Sequence, residues 1–336
     1  MKITPNASLL PFNTFGIDAK ADYVIEYDSV AELQDILKTE PAKSNPILHV
    51  GSGSNLLFLT DFKGVILHSA IKSITKISET AGSVQLEVGS GVVWDDFVAF
   101  CVEKGLGGIE NLSLIPGEVG ASAVQNIGAY GVEVQDVIRT VNTVETASGN
   151  EREFSTAECR YAYRESVFKS SLKGKYIVTS VVFELQKQPE FNLNYQHLEE
   201  EVKKNGEVNL KNIRQTIIAI RESKLPDPKS AGNAGSFFMN PVVTKEKFLA
   251  LQSEYPQMPH YYVSEAEEKV PAGWLIDQCG WKGKSIGNAG VHDKQALVLV
   301  NRGGATGAEI VYLAEQIQQS VNKRFGIDLH PEVNYI

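Results

Sequence analysis

The feature that most restricts how this chain can fold is a run rich in glycine and alanine over residues 115–131. The run holds four glycines and three alanines, which let another group come close to the backbone. Two interpretations are open. Exposed backbone N–H groups in such a loop can cradle a diphosphate without any positive side chain. Alternatively, the small residues let helices and sheets pack closely.

Two other glycine pairs follow predicted strands, as in Rossmann nucleotide sites, but neither completes the G-x-G-x-x-G pattern. Leu56 stands where the third glycine belongs after Gly51-Ser52-Gly53, and Trp94 stands there after Gly89-Ser90-Gly91. A large side chain at that position blocks close packing of the following helix. We therefore predict tight turns at both pairs.

Hydrophobic periodicity predicts an α+β protein in three pieces. Strands are predicted over residues 23–27, 46–50, 65–68, 84–88, 137–145 and 176–185. Helices are predicted after a capping box at Ser29 and Glu32, over 94–104 and 209–224, and after a second capping box at Thr306 and Glu309. Gly326 is expected to end the last helix. The first piece is expected to end near residue 70, and Pro226 and Pro228 mark the boundary before the last piece.

The composition argues against several classes of function. Acidic residues outnumber basic ones 41 to 32, so the net charge of −9 gives no general attraction to nucleic acid or anionic lipid. An anionic ligand therefore needs a few locally placed Lys or Arg side chains. The three cysteines and six histidines are scattered, so neither a disulfide framework nor a metal is expected. No apolar run could span a membrane and residues 1–13 lack a signal-peptide core, so we expect a cytoplasmic protein.

Three isolated polar side chains are candidates for chemistry. Arg164 lies among tyrosines, Ser236 precedes two phenylalanines, and Glu332 follows a proline. Exclusion of water by the phenylalanines can alter the proton chemistry of Ser236. Each residue also has an ordinary explanation, as a surface ion pair, a turn serine or a solvated carboxylate. Spacing alone does not bring the three together.

Nine short strings, in order along the chain, resemble those of one family. They are Asn13-Thr14-Phe15-Gly16, Gly51-Ser52-Gly53-Ser54-Asn55, Ile115-Pro116-Gly117, Gln125-Asn126-Ile127-Gly128-Ala129-Tyr130-Gly131, Tyr163-Arg164, Lys224-Leu225-Pro226-Asp227-Pro228, Gly232-Asn233-Ala234-Gly235-Ser236-Phe237-Phe238, Ala272-Gly273-Trp274-Leu275-Ile276-Asp277 and Pro331-Glu332-Val333. Together they are similar to the UDP-N-acetylenolpyruvoylglucosamine reductase (UDP-N-acetylmuramate dehydrogenase) family. Tyr261 matches the tyrosine loop of the family's longer subclass.

The resemblance implies an α+β, three-domain FAD-binding fold of the vanillyl-alcohol-oxidase (p-cresol methylhydroxylase) type. Residues 1–70 with 327–336 and residues 71–225 are then the FAD-binding subdomains, and residues 226–326 are a substrate-binding α+β domain. FAD is expected to bind non-covalently, because the loops that would hold it contain no His or Cys. By resemblance, the cofactor contacts are Gly51, Ser52, Gly53, Ser54, Asn55, Ile115, Pro116, Gly117, Gln125, Asn126, Gly128, Ala129, Tyr130 and Gly131.

The resemblance also implies a reaction, the NADPH-dependent, FAD-mediated reduction of the enolpyruvyl ether of UDP-N-acetylglucosamine to UDP-N-acetylmuramate for bacterial peptidoglycan. Ser236 matches the general acid, and Arg164 and Glu332 match the groups that stabilise charge developing on the substrate. The matching substrate-binding residues are Tyr195, Lys224, Asn240, Tyr261, Lys282 and Gln295. A monomer that binds small molecules, and neither nucleic acid nor membrane, is expected.

Two other functions are compatible with parts of this sequence. A flavin-dependent hydroxy-acid or alcohol oxidase would share the FAD module, but it is not expected to carry Gly235-Ser236-Phe237-Phe238 or Pro331-Glu332-Val333. A protein that has lost its flavin would bind the sugar nucleotide without catalysis. Two departures concern nucleotide binding: Met239 stands where a relative has Lys, and Gly280 replaces a polar residue.

Overall fold

The computed structural model describes residues 1–195 and 197–336. The strands are β1 (Lys2–Ser8), β2 (Lys20–Tyr27), β3 (Ile47–His49), β4 (Leu56–Leu57), β5 (Phe62–Ser69), β6 (Ile74–Glu79), β7 (Ser83–Gly89), β8 (Gly128–Ala129), β9 (Val132–Glu133), β10 (Ile138–Glu145), β11 (Glu151–Ser155), β12 (Tyr176–Gln186), β13 (Val242–Thr244), β14 (Tyr261–Ser264), β15 (Glu267–Lys269), β16 (Ser285–Ile286), β17 (Ala289–Val291), β18 (Leu299–Asn301) and β19 (Asn334–Tyr335). The helices are α1 (Val30–Ile36), α2 (Glu40–Ser44), α3 (Trp94–Glu103), α4 (Val119–Gln125), α5 (Thr156–Cys159), α6 (Leu198–Lys204), α7 (Leu210–Lys224), α8 (Lys245–Glu254), α9 (Ala272–Gln278) and α10 (Gly307–Phe325).

The described residues fall into two compact units. The first unit comprises residues 1–7, 21–52 and 63–223, and the second comprises residues 8–20, 53–62 and 224–336. The predicted division into three domains stays a prediction.

The larger sheets of the first unit position its loops. One sheet has the strand order β1-β2-β5-β3, in which β3 and β5 run parallel and His49 pairs with Leu67. The other is antiparallel, in the order β11-β10-β12-β7-β6. Side chains along β7 alternate in burial, and Val84, Leu86 and Val88 lie in the core.

Trp94 of α3 anchors the segment that leads into the glycine-rich run. Its ring is fully buried, 6.0 Å from that of Phe183 on β12, and its indole N–H donates to the carbonyl oxygen of Leu112 (2.9 Å). Tight backbone packing precedes this residue, because a Cβ on Gly91 would lie 2.2 Å from the carbonyl oxygen of Ser69. The position that a third Rossmann glycine would take therefore holds a core tryptophan.

Short sheets and α10 build the second unit. The sheets have the orders β13-β15-β14 and β16-β17-β18, and β19 pairs in parallel with β4. The buried face of α10 is the predicted one and contains Ile310, Leu313, Ile317 and Val321. The predicted ends of α10 are confirmed, because Thr306 and Glu309 form the capping box and Gly326 ends the helix at a φ of +60°.

Some local predictions differ from the structure. The capping box at Ser29 is half-formed, because the Glu32 side chain accepts from the N–H of Asp28 (3.1 Å) and not from that of Ser29. The glycine-rich run is not all loop, because it contains α4. Its small residues serve packing there, since a Cβ on Gly120 would lie 2.7 Å from the Cβ of Ser90.

Within residues 1–195 and 197–336, no helix has both the length and the hydropathy that a membrane crossing requires. In the same part of the chain, no group of three or more His, Cys, Asp or Glu side chains is placed to bind a metal ion. Cys101 and Cys159 are buried thiols, and Cys279 is a half-buried one.

Candidate active site

The first predicted cofactor loop follows β3. Gly51 and Ser52 belong to the first unit, next to Val50, whose N–H donates to the carbonyl oxygen of Leu67 (2.9 Å). The Ser52 hydroxyl is buried and has no hydrogen-bond partner among the described residues. A buried polar group of this kind is costly unless a ligand or water satisfies it. At Gly51 a side chain has little room, since its Cβ would lie 3.0 Å from Oε2 of Glu118.

Gly53, Ser54 and Asn55 complete this loop in the second unit. Gly53 has a φ of +66°, and a Cβ there would lie 1.8 Å from the carbonyl oxygen of Phe12. Both the backbone conformation and the available space therefore require glycine. The Asn55 amide donates to the carbonyl oxygen of Glu332 (3.2 Å), which ties the loop to the segment that carries a predicted catalytic residue.

The second predicted loop, Ile115-Pro116-Gly117, follows a leucine in the left-handed region, Leu114 with a φ of +58°. Asp95 of α3 accepts from the N–H of Leu114 (2.5 Å), and Arg221 of α7 donates to its carbonyl oxygen (3.2 Å). Arg214 of α7 holds Asp95 through two hydrogen bonds (2.6 and 2.9 Å). We call Asp95, Arg214 and Arg221 the Leu114 clamp. Strained backbone held in this way concentrates at functional sites.

Asn126 organises the third predicted loop. It ends α4 with a φ of +46°, and its Nδ2 donates to Glu133 (2.8 Å) and to the carbonyl oxygen of Ala162 (2.9 Å). Its Oδ1 accepts from the N–H of Gln135 (3.2 Å). Because the protein uses both ends of this amide, a cofactor contact at Asn126 is expected from the backbone. The other predicted contacts here are Gln125 at the end of α4, Gly128 and Ala129 in β8, and Gly131 with a φ of +80° in the following turn.

The predicted catalytic Arg164 lies against the same loop. Its guanidinium donates to the carbonyl oxygens of Asn126 (3.3 Å) and Gly128, and it lies 5.1 Å from the centre of the Tyr163 ring. Like Leu114, Arg164 has a left-handed backbone, with a φ of +56°. The structure therefore brings Arg164 together with a predicted cofactor loop, and backbone carbonyls orient its guanidinium.

Tyr130 and Tyr195, a predicted cofactor contact and a predicted substrate contact, lie together in the first unit. Their rings pack edge to face, with centroids 5.5 Å apart. Buried Asn111 joins the two segments, because it donates to the carbonyl oxygens of Tyr130 (3.0 Å) and Asn192 (2.8 Å). Burial raises the pKa of the Tyr130 hydroxyl, although the nearby Arg221 opposes this shift.

The second unit brings Ser236 and Glu332 onto neighbouring segments. Phe237 donates its N–H to Leu297 (2.8 Å), and its carbonyl oxygen accepts from the N–H of Glu332 (2.8 Å). Ser236 forms an antiparallel bridge with Val298. Ser236 is exposed, and its hydroxyl has no hydrogen-bond partner in the described part of the chain. Two of the three predicted catalytic residues therefore share one short, sheet-like arrangement.

A tight turn fixes the backbone that immediately precedes Ser236. The buried Asn233 accepts from the N–H of Gly235 (2.9 Å), which has a φ of +69°. Asn233 also donates to the carbonyl oxygen of Ala231 (2.8 Å), and its own carbonyl oxygen accepts from the Thr14 hydroxyl (2.6 Å). This hydrogen bond joins the Asn13–Gly16 segment to the segment that carries Ser236.

Asn240 and Gln295 each use their amide oxygen inside the second unit. Asn240 accepts from the N–H of Ala272 at the start of α9 (2.9 Å). Gln295 accepts from the N–H of Leu297 (3.3 Å), in the segment that pairs with Ser236. The amide nitrogens are therefore the ends that these two predicted substrate contacts can offer to a ligand.

The remaining predicted substrate contacts come from separate elements. Lys224 is the last residue of α7 and is exposed. Lys282 forms an exposed ion pair with Asp277 (2.9 Å). Tyr261 begins β14, opposite Lys269 on β15. Lys224 and Tyr261 lie at the end or edge of an element, and Lys282 lies in the turn between α9 and β16.

Several residues that support these loops were not predicted, because no local pattern marks them. Asp95 and Arg214 are 119 residues apart, and His68 contacts Glu118 across 50 residues. A charged residue on an amphipathic helix or strand is usually solvated. Only the contacts in the folded structure distinguish these four residues from ordinary surface charges.

The first and second loops carry features that fit FAD. The partnerless Ser52 hydroxyl can donate to a cofactor oxygen. Gly117 has a φ of +134°, which suits glycine.

A family model and a solved structure show which class of protein this chain belongs to. Residues 21–155 match the family described as FAD binding domain. A solvent-stable cholesterol oxidase superposes with a TM-score of 0.50 over 95% of this chain and 85% of its own, at 12% identity, which shows a shared fold alone. The chain is a flavoprotein whose fold is the predicted FAD-binding type with an added α+β domain.

The added domain defines the family. Residues 227–336 match the C-terminal domain of UDP-N-acetylenolpyruvoylglucosamine reductase. A reductase of that name from Bacteroides fragilis is 55% identical over 329 residues, 98% of each chain, and one from Porphyromonas gingivalis is 50% identical over 337 residues, 100% of each. The crystal structure of UDP-N-acetylenolpyruvylglucosamine reductase from Thermus caldophilus shares the fold, with a TM-score of 0.70 over 99% of this chain and 98% of its own at 21% identity. The chain belongs to the UDP-N-acetylenolpyruvoylglucosamine reductase family and is an oxidoreductase.

Proposed function

We propose that this chain reduces the enolpyruvyl ether of UDP-N-acetylglucosamine to UDP-N-acetylmuramate, with NADPH as reductant and non-covalent FAD as cofactor. The observation that carries the proposal is the pairing of the Ser236 and Glu332 segments in a chain 55% identical to a reductase of that name. Family membership favours reduction over the oxidase alternative. The proposed location is the cytoplasm, where NADPH and UDP-sugars are metabolites.

The first-unit loops are proposed to bind the cofactor. When bound, FAD supplies hydride to the methylene carbon of the substrate. The backbone at Gly51 and Gly117 would hold its phosphates, and the Ser52 hydroxyl would donate to one of its oxygens. The Leu114 clamp keeps the second loop in the strained conformation that this contact needs.

Arg164 and Glu332 are proposed to stabilise charge on the substrate. Addition of hydride to the methylene carbon leaves negative charge on the neighbouring carbon and its carboxylate, as an enediolate. The Arg164 guanidinium is permanently charged and held by backbone carbonyls, so it needs little reorganisation to meet that charge. Glu332 must carry or share a proton, because a bare carboxylate would repel the enediolate.

Ser236 is proposed to protonate the enol carbon. A serine hydroxyl is a weak acid, but the enediolate is a strong base and the proton moves over a short, fixed distance. The turn at Asn233 and Gly235 and the bridge to Val298 hold the Ser236 backbone in place. Preorganisation of this kind is what a weak acid needs to act as a donor.

The remaining predicted residues are proposed to bind the sugar nucleotide. Lys224 and Lys282 supply the local positive charge that a diphosphate needs on a chain of net charge −9. The amide nitrogens of Asn240 and Gln295 donate to the substrate. Tyr195 and Tyr261 pack against it or donate their hydroxyl groups.

The proposal is tested by separating the two half-reactions in a Ser236→Ala variant. Reduction of the flavin by NADPH should be unchanged, whereas reoxidation by the enolpyruvyl sugar nucleotide should slow by about 100- to 10,000-fold. Stopped-flow absorbance of the flavin measures both steps. Ser253→Ala removes a hydroxyl that bonds within α8 and should leave both rates unchanged. Wild-type reoxidation in Ser236→Ala would rule out the proton-donor role.

A further inference from the structure

A buried carboxylate lies between Gly51 of the first proposed FAD loop and the second proposed loop, within the first unit. Glu118 follows Ile115-Pro116-Gly117 in the chain and is 7% exposed. Its Oε2 lies 3.0 Å from the position that a Cβ on Gly51 would take, so the side chain reaches from the second loop to the first. Without a compensating positive charge, the Glu118 carboxylate would repel a diphosphate bound by these loops.

His68 of β5 compensates this charge. Its Nε2 lies 3.0 Å from Oε1 of Glu118, and its Nδ1 lies 3.7 Å from Oε2 of Glu26. The side chains of His68 and Glu118 are 16% and 9% exposed, so water screens their interaction weakly. Burial opposes the charge on His68, but the hydrogen bond that it donates to Glu118 and the charges of Glu118 and Glu26 raise its pKa above the ordinary value.

We infer that His68 and Glu118 form a positioning pair for FAD: the pair joins the two loops and keeps the protein behind them neutral while an anionic cofactor binds. The inference rests on the proposed function in one respect, that these loops hold FAD. Neither side chain is assigned a contact with the cofactor or with reacting atoms. Their effect passes through the loops and through the local charge.

Two groups near His68, Glu26 and His49, keep their charge state near neutral pH. Glu26 forms an ion pair with Lys2 (3.0 Å), and the hydrogen bond from Lys2 lowers the pKa of Glu26. His49 on β3 is neutral, because burial and the charge of His68 lower its pKa to about 4, and it hydrogen-bonds the Tyr27 hydroxyl (2.8 Å). Neither of these two groups therefore accounts for a change of charge as the pH rises through the raised pKa of His68.

The direction of the pH effect follows from the raised pKa of His68. Its charge is present below the ordinary pKa of histidine and is lost as the pH rises through the raised value in the folded protein. Loss of the charge leaves Glu118 negative beside the FAD loops. FAD affinity should therefore fall as the pH rises through the raised pKa of His68, by about tenfold for one partly screened charge.

The experiment measures the FAD dissociation constant of the full chain by the fluorescence that FAD regains when it is released, from pH 6 to pH 9.5. At pH 6, below the ordinary pKa of histidine, His68→Gln should weaken binding about tenfold, and it should remove the pH dependence. Glu118→Gln should bind FAD at least as tightly as wild type, independently of pH, and the double variant should behave like Glu118→Gln. Glu26→Gln is the comparison variant: it removes one of the two carboxylates that raise the pKa of His68 but keeps Glu118, so the fall in FAD affinity should move to lower pH and should not disappear.

The outcomes separate this inference from the proposed function. A wild-type chain that binds no FAD at any pH would refute the proposed function. Tight binding that is independent of pH in the wild type would overturn the inference alone. So would a Glu118→Gln variant as weak as His68→Gln, since that result indicates a hydrogen bond needed for structure. The wild-type profile and Glu118→Gln keep the test decisive if His68→Gln does not fold.

Discussion

Replacing Asp95 with asparagine should destabilise the loop that leads into Ile115-Pro116-Gly117. Asp95 accepts hydrogen bonds from the N–H of Leu114 (2.5 Å) and from two nitrogens of Arg214 (2.6 and 2.9 Å). Asparagine keeps the shape of the side chain, but it removes the charge and turns an N–H₂ group toward one of these donors. Because Leu114 is held at a φ of +58°, its conformation depends on these contacts.

The magnitude follows from burial and from the number of bonds lost. A hydrogen bond to a charged group contributes about 1.5–3 kcal/mol. The side chains of Arg214 and Asp95 are 15% and 24% exposed, so partial screening reduces that contribution. Relaxation of Leu114 from the left-handed region returns about 1 kcal/mol. We expect a loss of about 2 kcal/mol in the free energy of unfolding at pH 7.

The pH dependence provides an internal check. Burial opposes ionisation of Asp95, but the hydrogen bonds from Arg214 and Leu114 lower its pKa overall. Its stabilising effect is therefore present above the ordinary pKa of aspartate and is lost as the pH falls through the lowered value. The difference between wild type and Asp95→Asn should shrink in that acidic range.

Urea unfolding followed by circular dichroism measures this prediction. Asp35→Asn is the control, because Asp35 and Lys38 form a surface pair with side chains 74% and 70% exposed, worth less than about 0.5 kcal/mol. A loss for Asp95→Asn no larger than that of Asp35→Asn at pH 7 would refute the clamp.

Two further substitutions test single positions. Gly53→Ala should cost at least about 2 kcal/mol of stability, because its Cβ would lie 1.8 Å from a carbonyl oxygen in a left-handed residue, whereas Gly82→Ala has open space and should be neutral in thermal unfolding. Equal midpoints for the two variants would contradict this. Tyr261→Phe should raise the KM for the enolpyruvyl sugar nucleotide more than it lowers kcat, in steady-state NADPH oxidation. A loss confined to kcat would show that Tyr261 acts in the chemical step instead.

Local signals predicted the elements that depend on neighbouring residues. α10 has a capping box at one end, a glycine at the other and a 3.6-residue apolar period between them, and all three appear in the structure. The half-formed box at Ser29 shows the limit of such signals, because Asp28 competes for the Glu32 carboxylate. α4 was missed, since a run of small residues has no apolar period and forms a helix only by packing closely on Ser90.

In the candidate site too, residues in short local motifs were predicted and residues with distant partners were not. Short strings identified Ser236 and Glu332 through resemblance, and the second unit places their segments side by side. No string identified Asp95 or His68, because their partners lie far away in the chain and their residue types are ordinary on a protein surface. The catalytic candidates are local motifs, whereas the charges that position the loops are properties of the fold.

The most direct measurement is the visible spectrum of the purified chain without oxygen, first alone, then with NADPH, then with the enolpyruvyl ether of UDP-N-acetylglucosamine. The account predicts flavin bands that bleach with NADPH and return when the sugar nucleotide is added. Bleaching without that return would contradict the proposed substrate and reopen the oxidase alternative. A colourless protein that takes up no FAD would contradict the central claim, that the chain uses FAD for this reduction.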